Sequence, residues 1–266
     1  MGETNGNRIE SAGGDKDPLV MKAYIVQNKD GEFASVNFAV AYDGFRKMGW
    51  EIVPFSRLDN ARLLDLTLED VVVGFIEDVN AALFQLGIES PAEINYPDEL
   101  TSFLGRKIWR SQINYIAKHP ELWNIFIKPA TLSKKFTGRL LTSTKDLISC
   151  GDELEDTEIW CSEPVNFLAE WRCFVRYGEI LGVKPYYGDW RVHFDPQVIE
   201  NAIAAYHSAP AGYAADFGVT DTGETLLIEV NDGYSIGSYG LFPADYARLL
   251  SSRWAQITGS KDYSIY

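Results

Sequence analysis

The strongest constraint on this chain is a pair of runs, Tyr213–Val219 and Thr225–Asn231, joined by Asp221-Thr222-Gly223-Glu224. Turn residues between two alternating runs close an antiparallel hairpin, with Gly223 free to take positive φ. A two-residue loop at Thr222-Gly223 pairs Asp221 with Glu224 and, counting back, sets Asp216 opposite Glu229. Side chains alternate along a strand, so Asn231 shares the face of Glu229. The other face carries Ala215, Phe217 and Val219 against Leu226, Ile228 and Val230, an apolar layer for a core. Two carboxylates directly opposite on a sheet repel unless something offsets them. With an amide oxygen they form a hard donor set suited to Mg²⁺, which proteins hold through few groups plus substrate phosphates. The alternative for the same pattern is a solvated strand face.

The chain ahead of the hairpin changes character midway. Residues 1–20 are polar and read as a flexible tail. Met21–Val26 is a strand, Phe33–Met48 has helical spacing, and Glu51–Phe55 is the next strand. Strand, helix, strand opens a parallel sheet, to which Val71–Phe75 adds a third member. A short helix at Ala81–Leu86 and a strand start at Gly87-Ile88 follow. Gln27–Gly31, after the first strand, lacks the glycines of a dinucleotide-binding turn, which argues against a Rossmann cofactor. Pro91–Pro97 reads as a loop. Asp98 then caps an expected helix from Glu99 to about Lys118, with Leu100, Phe103, Leu104, Ile108, Ile113 and Ile116 as its stripe.

After this helix the pattern is mostly short strands: Asn124–Pro129, Leu140-Leu141, Glu158–Val165, Glu170–Tyr177 and Ile180–Tyr186. A helix at Gln197–Ser208 precedes the hairpin, and an amphipathic helix at Pro243–Trp254 closes the chain. The fold expected is an α/β N-terminal domain, residues 21–105, followed by an α+β domain with mostly antiparallel sheets, residues 106–266.

Composition narrows the partners. At 266 residues and 46% hydrophobic the chain can bury a sizeable core. A net charge of −14 gives no general affinity for nucleic acid or an anionic membrane. Cys150, Cys161 and Cys173 fit no zinc spacing, and their odd number speaks against a disulfide framework, pointing to a reducing, cytoplasmic setting. The serines and cysteines have no partnered histidine, so hydrolase triads find no support.

Taken in order, the second half resembles the ATP-grasp ligases, in particular a small, divergent group of them. The resemblance rests on Lys128 at a strand end before Pro129; a short basic loop, Ser133–Arg139; Glu163 at a strand end; Glu170-Trp171-Arg172 opening a strand; Asp216; and Glu229-x-Asn231. It implies ATP and Mg²⁺ as cofactors. By the same resemblance Lys128 reaches the phosphates, and Lys134 and Lys135, with Thr137 and Gly138, form a flap over them. Glu163 and Val165 lie at the adenine edge, and Glu170 takes the ribose hydroxyls. Lys184 corresponds to a second lysine, although a turn at Gly178-Glu179 would set it opposite Cys173 on the apolar face. Asp216, Glu229 and Asn231 match metal ligands. Ala214 stands where an arginine precedes the aspartate in the family, so oxyanion stabilisation passes to Arg176 or Arg191. Arg172 is a further clamp for phosphate or carboxylate.

The implied reaction joins a carboxylate to an amine through an acylphosphate, on a small molecule or a peptide. Tyr234 and Tyr239, in the loop after Asn231, are expected to line the acceptor site. A phosphotransferase of the same fold and a non-catalytic interaction module are the alternatives.

Overall fold

The structure is a computed structural model that describes residues 20–57, 63–130, 136–151 and 156–265. Three sheets organise it. The first is parallel, with strand order β2-β1-β3, from β1 (Lys22–Val26), β2 (Glu51–Phe55) and β3 (Val71–Val73). Helix α1 (Val36–Lys47) makes the crossover from β1 to β2, and α2 (Ile76–Gln85) follows β3. Ser35 caps α1 by accepting a hydrogen bond from the Asn37 N–H, so the helix starts three residues later than its apolar spacing suggests.

The second sheet contains β4 (Ile108–Gln112), β7 (Glu158–Ser162), β5 (Ile125–Pro129) and β6 (Arg139–Leu141), in that order and antiparallel. The third, also antiparallel, runs β11-β10-β8-β9: Thr225–Asp232, Gly212–Thr220, Phe167–Arg176 and Glu179–Gly188. Helices α3 (Ile113–Lys118) and α4 (Pro196–Ala205) pack on these sheets, and α5 (Pro243–Thr258) closes the chain. No strand forms at Gly87-Ile88. Residues 1–19, the greater part of the expected tail, lie outside the described residues.

The long helix expected over 99–118 is not there. Asp98–Phe103 makes only a 3₁₀ turn, and Gly105 stops it at φ +61°. Ile108–Gln112 then pairs with β7, Ile108 against Ser162 and Trp109 against Cys161. Pairing with a strand about fifty residues away outcompetes a local helical period, which is a weak preference by itself. Helix resumes only at Ile113.

The N-terminal sheet shares its core with the end of the chain. Ile25, Phe45 and Leu83 pack in one cluster with Leu249 and Trp254 of α5 and with Phe174 and Ala214 of the third sheet. Helices α1 and α5 come so close at Gly44 that a Cβ there would lie 2.1 Å from the Pro243 carbonyl oxygen and 2.8 Å from the Ala247 Cβ. Gly44→Ala is therefore expected to destabilise the protein by about 1–3 kcal/mol through overpacking. The check is the urea midpoint; an unchanged midpoint would show that the helices part freely.

Candidate active site

The third sheet presents four charged residues in one row. Glu229 on β11 lies opposite Asp216 on β10, Asp216 opposite Arg172 on β8, and Arg172 opposite Lys184 on β9. Directly opposed residues project from the same face, so the row forms one polar stripe across all four strands.

Two irregularities create it. The β10–β11 turn is one residue longer than the sequence suggests: Thr220 N–H bonds the Glu224 carbonyl, and Val219 faces Thr225. Continued regularly, that register would set Glu229 opposite Ala215 on the core face. A bulge after Phe217–Leu227 restores Asp216 to Glu229. The expected pair thus forms by another route, and the apolar layer is corrected from Leu226, Ile228 and Val230 to Leu227 and Val230, with Thr225 at its end. On β9 the turn is Tyr177-Gly178, with φ of +49° and +78°. A bulge between the pairs Phe174–Gly182 and Val175–Ile180 then moves Lys184 from the apolar face to Arg172. A bulge carries one extra residue, and one residue reverses a strand's faces.

Each carboxylate in the row meets a cation. Arg172 Nε and Nη2 donate to the two Asp216 carboxylate oxygens, each at 2.7 Å, and Asp216 is 1% exposed. Lys128, at the end of β5, reaches across from the second sheet and donates to Glu229 Oε2 at 2.5 Å and to Asn95 Oδ1 at 2.8 Å. Its ammonium also lies 4.6 Å from the Tyr96 ring centre. The Asn231 amide donates to Asp216 at 3.1 Å and is 3.4 Å from Glu229, so turning it over would present its oxygen to the same point.

Burial opposes the Lys128 charge, but Glu229 and Tyr96 outweigh it and lift the Lys128 pKa. Burial likewise pushes Glu229 up, and Lys128 more than reverses this, holding it below the ordinary range. Asp216 goes the other way: burial drives its pKa up, and Arg172 recovers only part.

Two carboxylates and one amide on adjacent strands suit Mg²⁺, which keeps several waters and takes phosphate oxygens. Among the described residues no group of three or more His, Cys, Asp or Glu forms a cage for a metal, so a metal here would depend on a ligand's oxygens.

A cleft of 990 Å³ opens beside this row. Lys128, Glu229 and Asn231 line one wall, Thr137 and Gly138 stand at the end of the basic loop, and Ser35, Asn37 and Glu77 come from the N-terminal helices. Tyr234 also lines the cleft. Tyr239 instead sits 4.7 Å from the Arg172 guanidinium and 5.4 Å from the Tyr186 ring, covering the Arg172–Asp216 pair.

The remaining expected residues divide. Glu163 lies in the link between the second and third sheets; its carboxylate accepts from the Lys107 N–H at 2.9 Å, and its own N–H bonds the Lys107 carbonyl. Val165 is half-buried in the same link. Glu170 opposes Gly218 on β10 and takes a hydrogen bond from the Tyr186 hydroxyl. Lys134 and Lys135 lie outside the described residues.

Arg176 and Arg191 are not brought to the row. Arg176 is held at the far end of β8 by Asp262, at 2.7 Å, and by Ser264. Arg191 pairs with Asp189 on the surface. The position left by Ala214 is served instead by Arg172, whose guanidinium reaches Asp216 from the neighbouring strand. Sequence reasoning passed over Asn95 and Tyr96, which it took for loop. Asn95 at φ +53° was their one local signal, asparagine being among the few residues that enter that region readily.

Two antiparallel sheets, joined by a short link and meeting over a lysine and a carboxylate row, define the ATP-grasp fold. A sequence profile of the ATP-grasp domain, describing family 2 of one of its clades, matches residues 103–249, more than half of the chain, and the protein belongs to that family. Solved structures of the same fold include D-alanine–D-alanine ligase from Bacillus anthracis complexed with ATP. That protein is 14% identical over 90% of this chain and 97% of its own, with a TM-score of 0.54. A RimK domain ATP-grasp protein from Sphaerobacter thermophilus is 15% identical over 86% of this chain and 98% of its own, with a TM-score of 0.54. N5-carboxyaminoimidazole synthetase from Staphylococcus aureus is 11% identical over 92% and 79%, with a TM-score of 0.53. The comparison with curated proteins returns no match. Among the described residues no helix is long and apolar enough to cross a membrane.

Proposed function

We propose that this protein is an ATP- and Mg²⁺-dependent ligase that joins a carboxylate to an amine through an acylphosphate. The observation that carries the reading is the row Glu229–Asp216–Arg172–Lys184 with Lys128 reaching into it from the facing sheet. Phosphoryl transfer asks a protein chiefly for positioning and charge neutralisation, and the row supplies three cations and two carboxylates at one end of a cleft. Lys128 and Lys184 bind phosphate oxygens as compact ammonium groups. Arg172, bidentate on Asp216, fixes that carboxylate and brings positive charge where an acyl oxygen would develop negative charge. The adenine lies against the inter-sheet link at Glu163 and Val165, and Glu170 receives the ribose hydroxyls. Mg²⁺ held by Asp216, Glu229 and Asn231 neutralises the phosphates. The 990 Å³ cleft, walled partly by the N-terminal domain, takes the carboxylate substrate and the amine. The substrates are an amino acid or a peptide, the setting is the cytoplasm, and neither nucleic acid nor membrane is a partner.

The test is calorimetric titration with ADP, with and without Mg²⁺, followed by ADP release from ATP in the presence of pooled amino acids and of peptides. Mg²⁺-dependent binding and amine-dependent ADP release are expected. Release that needs no amine would point to a phosphotransferase instead, and no nucleotide binding would leave an interaction module.

A further inference from the structure

The metal-ligand reading depends on a backbone irregularity, and one side chain outside the row is attached to it. Strand β11 is the edge of its sheet. At its bulge the carbonyls of Leu227 and Ile228 both turn outward, where no neighbouring strand can take them. Arg106 meets them. Its Nη1 donates to the Leu227 carbonyl at 2.8 Å and to the Leu104 carbonyl at 2.8 Å, and its Nη2 donates to the Ile228 carbonyl at 2.9 Å. The guanidinium is half-buried, so these bonds act where water competes poorly. The segment carrying Arg106 is seated on the same strand: Leu226 packs so tightly on Gly105 that a Cβ there would lie 2.4 Å from it.

We infer that Arg106 is a positioning residue that locks the β11 bulge and so holds Glu229 on the metal-binding face opposite Asp216. Register is the reason. Glu229 is the first residue beyond the bulge, and without the extra residue it would face the core beside Ala215. Two outward carbonyls side by side repel each other, and a rigid fork of donors is the group that satisfies both at once. An ammonium has no such fork. Remove the guanidinium and these carbonyls are left unpaired, which favours relaxation of the bulge and loosens Glu229 first. The inference rests on the ligase reading above, because it assigns Arg106 its task through Glu229.

The experiment is calorimetric titration of ADP, with and without Mg²⁺, on wild type, Arg106→Met and Arg106→Lys, with thermal melts of each. A lost outer partner weakens metal affinity by about 10–100-fold. Arg106→Met is therefore expected to shrink the Mg²⁺-dependent gain in ADP affinity by about tenfold or more while metal-free ADP affinity stays within about twofold. Arg106→Lys, whose ammonium serves one carbonyl well, should recover part of the gain, and it provides the reading if the methionine variant does not fold. A full Mg²⁺ gain in a folded variant would overturn the inference, as would equal loss of metal-free and Mg²⁺-dependent affinity. A wild type that binds ADP without any Mg²⁺ effect would overturn the metal site itself, and the inference with it.

Discussion

Replacing Arg172 with methionine is expected to destabilise the protein by about 3–5 kcal/mol, the range for stranding one partner of a buried ion pair. Asp216 is 1% exposed and receives both of its strong hydrogen bonds from Arg172. Burial already drives the Asp216 pKa up with the guanidinium in place. Without it the carboxyl would be driven further up and be held protonated in the fold. A folded pKa raised above the unfolded value means the native state holds the proton more tightly. The variant's deficit should therefore be smallest at about pH 4 and grow as pH rises through the unfolded and then the folded pKa.

Urea unfolding across that pH range provides the measurement. The double change Arg172→Met with Asp216→Leu should recover most of the loss, because an apolar pair can replace a buried ion pair at little cost. Equal deficits at every pH would show that Asp216 does not depend on Arg172 for its charge. Function is expected to separate from stability here: the double variant folds but does not bind Mg²⁺–ADP.

The second large effect concerns Lys128 and Glu229. In the proposed reaction Lys128 turns to phosphate and Glu229 to metal, yet they hold each other at 2.5 Å, with side-chain exposures of 14% and 28%. A nucleotide arriving alone must break the pair, and so must a metal arriving alone. Arriving together, they break it once, which is positive coupling between the two ligands. A charge-assisted hydrogen bond contributes about 1.5–3 kcal/mol, so the coupling is about ten- to a hundredfold.

Opposite signs follow for the two variants. Glu229→Gln frees Lys128 and should tighten metal-free ADP binding by about tenfold while removing the Mg²⁺ effect. Lys128→Met should weaken ADP binding, yet let Mn²⁺ bind the nucleotide-free protein about tenfold more tightly, read by electron paramagnetic resonance. Weaker metal-free ADP binding in Glu229→Gln would show that the ion pair does not restrain Lys128.

Much of the site was legible because its residues lie on strands whose chemistry is local. Lys128 closes an apolar run before a proline, and Asp216 and Glu229 fall on two runs joined by a turn, so spacing alone brings them near one another. Lys184 shows the limit of that method: counting from the turn put it on the apolar face, and only the bulge in β9 returns it to Arg172. The same holds for Glu229, whose correct partner emerged from a loop one residue too short and a bulge not foreseen. A bulge has no strong sequence mark, because it is stabilised by what lies beside the strand, here the Arg106 guanidinium against the β11 edge.

The sequence by itself determined the parallel opening, the hairpin, the charge that argues against nucleic acid, and the types of residue available for phosphate and metal. Those follow from periodicity, turn chemistry and composition, which act over a few residues. Tertiary structure decided which arginine serves Asp216, that Ile108–Gln112 is strand and not helix, and that Asn95 and Tyr96 complete the surroundings of Lys128. Each of these depends on partners tens of residues away, and the energy of such pairings exceeds the fractions of a kcal/mol, about 0.5, that separate local preferences.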